Sequence, residues 1–135
     1  MKVSELRGDH VFSIPVAGQA TGGTADEFVA LVAPFNMTIT AVKWVPTAAI
    51  TANGTNYFTL TLRNRGQAGA GTALAAQRSY ASGNSSAFVG ENMALSATAA
   101  DLNAAAGDVL TVEKLTTGTG LAMPDGTVQI FARGN

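Results

Sequence analysis

Cysteine is absent from the 135 residues, so neither disulfides nor thiolate metal sites are open to this chain, and its fold has to stand on packing alone. Charge is scarce too: charged residues make up 13% of the chain, well under the quarter that soluble domains usually carry. A surface so thinly charged favours contact with something else. Nine acidic and eight basic residues give a formal net charge of -1, without the surplus of Lys and Arg needed to displace counterions from nucleic-acid phosphates. With one histidine, His10, any Ser-His-Asp arrangement must run through it, and a jelly-roll metal site that draws several imidazoles onto one ion lacks its ligands. Long apolar runs are missing as well. The longest, FVALVAPF at 28 to 35, falls far short of the roughly 20 residues of a membrane helix. The N-terminal MKVSELRGDH puts Lys2, Glu5, Arg7 and Asp9 where a signal peptide has its apolar centre, and the expectation is a chain made and used without export.

What is present is a period of two. In TNYFTLTLRN, Phe58, Leu60 and Leu62 share one face while Tyr57, Thr59, Thr61 and Arg63 take the other, the pattern of a half-buried strand. Phe12, Ile14 and Val16 repeat it, as do Phe28, Ala30 and Val32; Met93, Leu95 and Ala97; Leu110 and Val112; and Val128, Ile130 and Ala132. MTITAVKWV at 37 to 45 has apolar groups on both faces, as a strand covered on two sides or at a subunit contact would. AAQRSYA at 75 to 81 is a weaker eighth candidate. Between these lie the turn signals AGQATGG, TANGT, QAGAGT, ASGNSS and MPDGT. TAADLNAAAG at 98 to 107 reads either as a short helical turn, with Thr98 as cap, or as an irregular loop. No composition break divides the chain. The fold class expected is all-β: an antiparallel, jelly-roll-like sandwich of about eight strands, with residues 1–12 as an arm or frayed segment and 13–135 as one domain.

Few residues carry chemistry. The glycine-rich QAGAGT follows a strand as a phosphate loop does, yet Gly66, Gly69 and Gly71 lead to Thr72 and Ala73 without the lysine or helix such a cradle needs, so it reads as a loop. His10 sits beside Asp9 and reads as solvated. Asp101, Asp108 and Asp125 have the chemistry of calcium ligands, but each stands where turns and caps use aspartate to bind local backbone amides. The NMT, NGT and NSS sequons at 36, 53 and 84 read as turns. Trp44 and Tyr57 are the residues a carbohydrate-binding module would stack on a sugar, although lone aromatics on strands are more often core or interface. A pair of glycosidase carboxylates has no cluster to point at.

ITAVKWVPTAAITANGTNYFTLTLRNRG at 39 to 66, AAGDVLTVEKLTTGTGLAMPDGTVQI at 105 to 130, and FVGENMALS at 88 to 96 between them resemble the small jelly-roll head-decoration, or cement, proteins of tailed bacteriophages. The resemblance covers most of residues 36 to 132 and rests on strands and turns, with no binding signature to carry over. It implies a non-enzymatic virion protein without cofactors, made in the bacterial cytoplasm. Such a protein binds the major capsid protein on the outer capsid surface, as a homotrimer, and holds the head together. Within that reading Val3, Leu6, Arg7, His10, Trp44 and Tyr57 are the residues expected at a capsid or subunit interface, and the arm lays a strand on an exposed sheet edge. The alternatives are a trimeric fibre or tail-tip module and a glycan-binding sandwich.

Overall fold

In the computed structural model, which describes residues 8 to 135, the alternating segments form strands. Seven are long: β1 (Gly8–Val16), β2 (Asp26–Val32), β3 (Met37–Pro46), β4 (Tyr57–Asn64), β5 (Ala73–Ser79), β9 (Val109–Thr117) and β10 (Gly126–Gly134). Three two-residue strands lie between β5 and β9: β6 (Glu91–Asn92), β7 (Ala94–Leu95) and β8 (Asn103–Ala104). All pair antiparallel, in two sheets. One runs β1-β10-β3, with β6 and β8 both on the free side of β3; the other runs β2-β9-β4-β5-β7. Because most connections pass from one sheet to the other, the first and last long strands become neighbours. This is the strand order of a jelly roll.

The inner faces hold the core. Ile14, Met37, Ile39, Val42, Trp44, Val128 and Ile130 meet Phe58, Leu60, Leu62, Leu110 and Val112, all with 7% exposure or less. In β4 the predicted alternation holds, but the strand is covered on both sides: Thr61 is fully buried on the outer face, where the Gln77 side chain lies over it. The two-faced look of β3 has another cause than a second cover. Phe131 pairs with Ala41 and Ala132 with Ile39, so Thr40 is an extra residue, a β-bulge that shifts the inward positions from 37 and 39 to 42 and 44. A similar irregularity at Ala30 in β2 leaves Val32, read as inward, 54% exposed.

The strand read around Met93, Leu95 and Ala97 is divided. Glu91 and Asn92 pair with β3, whereas Ala94 and Leu95 pair with β5 of the other sheet, and Met93 is buried at the crossing. Three apolar residues at a spacing of two do not specify which sheet they join. A four-residue 3-10 turn (Ala99–Leu102) follows, with no side-chain bond from Thr98 to cap it. Residues 8 to 12 of the predicted arm pair with β10 as part of β1. Among the described residues no helix is long and apolar enough to cross a membrane.

Candidate functional site

The acidic residues singled out in the sequence are engaged with their own surroundings. Asp125 accepts the Gly18 amide, Asp108 accepts the Asn64 side chain at 2.9 Å and the Ala105 amide at 3.0 Å, and Asp101 accepts the Ser96 hydroxyl at 2.7 Å. Bonding to Asn64, with the Ala105 amide assisting, holds the Asp108 carboxyl below its usual range. Among the described residues no three His, Cys, Asp or Glu side chains gather as metal ligands would. Of the sequon asparagines, Asn53 forms a turn by accepting the amides of Thr55 and Asn56, whereas Asn36 and Asn84 tie distant segments together by accepting the amides of Ala106 and Ala52. The glycine-rich segment is a loop, with Gly66 and Gly69 at φ of 67° and 79°; Gly71 and Arg65 close its base with a backbone bond.

Two expected interface residues stand elsewhere than expected. Trp44 is fully buried between the sheets, so it offers no face to a sugar or to a neighbouring subunit. His10 points inward opposite Ala132 and packs on Phe35, ring centres 4.8 Å apart; it is half-buried rather than solvated. Tyr57, also half-buried, begins β4. Val3, Leu6 and Arg7 lie outside the described residues.

Two outer sheet faces remain. On the β2-β9-β4-β5 face, Arg65 grips Glu27 at 2.6 and 2.8 Å, Arg63 donates to Glu113 at 2.9 Å, and Thr111 donates to Glu27 at 2.6 Å. The Arg65 bond holds the Glu27 carboxyl below its usual range against a weaker opposing effect of burial. These charges therefore cancel within the face. Around them the register places Val29 (61% exposed), Val32, Leu74 and Leu115 outward.

The β1-β10-β3 face is different. Lys43 lies 5.8 Å from the centre of the Phe131 ring, and Val11 is 51% exposed on the edge strand β1. At the sheet's end an open, mainly apolar groove of about 650 Å³ runs between Pro15, Val45, Pro46 and Thr127, with Phe88 on its rim. Phe88 is 75% exposed and stands at a φ of 60°, alone among non-glycine described residues in having a positive φ. Sequence reasoning gave Phe88 and Val89 no site role; they belong to a loop hung on β3 by the bond from the Phe88 amide to the Pro46 carbonyl. The only sequence signal was their place between NSS and Gly90 in a turn-rich stretch.

The segments that flank the loop are tied together by Arg78, which bonds Glu91 at 2.8 Å and the carbonyls of Ser79, Ser82 and Gly83, and lies 4.0 Å from the Tyr80 ring centre. Tyr80 is buried and shares a 2.7 Å hydrogen bond with Ser85. Burial pushes its phenol above the ordinary range.

No family model matches this chain, and no curated protein does. Among solved structures, a chain from the structure of infectious bursal disease virus Gx strain is similar over 93% of this chain, with 10% sequence identity and a TM-score of 0.42. The match covers 32% of that chain, so the present sequence spans under a third of its length.

Proposed function

We propose that this chain is a structural, non-enzymatic virion protein that binds the outer surface of a tailed-bacteriophage capsid, three copies around an axis, and stabilises the head against heating. The observation that carries the reading is the β2-β9-β4-β5 outer face. Its four charges are already paired with one another, and its exposed large apolar side chains are Val29, Val32, Leu74 and Leu115. Docking such a face strips water from apolar groups and from ion pairs that stay intact, whereas a face with lone charges pays a desolvation penalty for each. Tyr57 lies on the same side of β4 as Thr59 and Arg63 and belongs to this surface. The major capsid protein is the partner in this reading, and repetition over a lattice makes a modest single contact sufficient.

The test is co-sedimentation with undecorated heads, followed by heating of decorated and bare heads. Binding and better survival of the decorated heads are expected, both weakened by Val29→Asp. Equal survival of decorated and bare heads counts against a stabilising role.

A further inference from the structure

We infer that the β1-β10-β3 face is a contact between two copies of this chain, each seating its Phe88 ring in the groove of the other. This goes beyond the capsid reading and uses the opposite sheet. The argument starts from Phe88 itself. An L-residue at a φ of 60° costs about 1 kcal/mol. A phenyl ring left 75% exposed forgoes its burial as well. Both costs fall on the isolated chain, and a partner that covers the ring recovers the second.

The groove beside the ring has room for a phenyl group, and it is walled by Pro15, Val45 and Pro46. Knob and groove sit side by side on one face. That placement suits a two-fold contact, in which the same patch serves both copies, and does not suit a ring, which needs them on different faces.

The charges have the same symmetry. Val45 pairs with Thr127 in the antiparallel register. Lys43 lies two residues to one side of that pair; Asp125 lies on the other side, next to Thr47, whose amide bonds the Asp125 carbonyl at 2.9 Å. Both side chains belong to exposed residues. A two-fold axis through the Val45 and Thr127 pair exchanges these two positions, so each copy's Lys43 meets the other's Asp125. Val45 and Thr127 lie one residue from the end of β3 and the start of β10, so an axis there overlaps only the ends of the two sheets and the loops at 86 to 90. The contact is smaller than the roughly 800 Å² per side of a standard one, which places the pairing at high micromolar concentration.

The experiment is sedimentation equilibrium of the full chain from low to high micromolar concentration, comparing the wild type with Phe88→Asp and Phe88→Gly. Phe88 is exposed, so both variants keep the fold; thermal melting checks this. The expected result is a wild-type particle of twice the mass of either variant. The ratio of two holds for single-copy variants, and for three-fold variants whose faces pair trimer to trimer about intersecting axes. Lys43→Glu is expected to weaken the pairing about five- to tenfold at low salt, with the difference shrinking at 1 M salt. Equal masses for wild type and variants at every concentration, or a ratio of three, would overturn the inference.

Discussion

Gly126 lies flat against the Trp44 indole: a β-carbon added to it would stand 2.5 Å from Cη2 of the ring and would also strike the Val45 carbonyl oxygen. The indole thus occupies the space that a side chain at the start of β10 would take. Gly126→Ala must push β10 away from β3 or turn the ring, and overpacking of this kind costs about 1–3 kcal/mol. Thermal melting is expected to show a clear loss of stability, and an unchanged melting temperature would refute the close contact.

The buried Trp44 also makes a spectroscopic prediction, since it is the only tryptophan. Its emission should be blue-shifted in the folded protein, untouched by iodide, and flat across a titration with varied glycans. Efficient iodide quenching would show that the ring reaches solvent, and would reopen the sugar-binding reading.

Arg78 is expected to be irreplaceable by lysine. Its guanidinium reaches Glu91 and three loop carbonyls at once, and a single ammonium cannot span those directions. Arg78→Lys should cost about 2 kcal/mol, as charge-assisted hydrogen bonds of this kind do. Faster amide exchange should appear in residues 80 to 90. Exchange unchanged there would mean that the loop is held by other contacts.

Phe88→Gly should raise the stability of the dilute, unassociated chain by up to about 1 kcal/mol, because glycine adopts a positive φ without steric cost and little burial is lost. A destabilised variant would indicate that the ring supports the fold from within.

Acid should weaken the fold through Glu27, Glu91 and Asp108. The Arg65 bond lowers Glu27; burial acts to raise Glu91 but is outweighed by bonds from Ser85 and Arg78; Asn64 lowers Asp108. Each folded value lies below the ordinary 4.5 for Glu and 3.8 for Asp, so the unfolded chain binds protons first as the pH falls. Their stabilisation is therefore whole above those ordinary values and is lost as the pH drops through the folded ones. Melting temperatures measured from pH 7 to pH 2 should decline below about pH 4.5. The Asp108→Asn variant should decline less steeply.

Sequence alone determined the fold class, because a period of two that recurs in segment after segment, punctuated by glycine and asparagine turns, permits little besides antiparallel strands with one inner face. It also determined the local role of Asp108, which accepts the Ala105 amide three residues before it; Asp101 instead takes the Ser96 hydroxyl, and Asp125 reaches the distant Gly18 amide, a bond only the tertiary structure could make. The tertiary structure decided what depends on distant partners. A one-residue bulge at Thr40 turned an apparently two-faced β3 into a strand with one core face, and the pairing of β10 with β3 placed Trp44 inside. The choice between sheets split the segment at 91 to 104 into three short strands, since two edges competed for it. The surface was decided in the same way. Phe88 has the sequence of a core residue, and only the packing of its neighbours left it outside, because the Pro46 carbonyl and the Arg78 cluster fix its loop before the ring finds any apolar cover within its own chain.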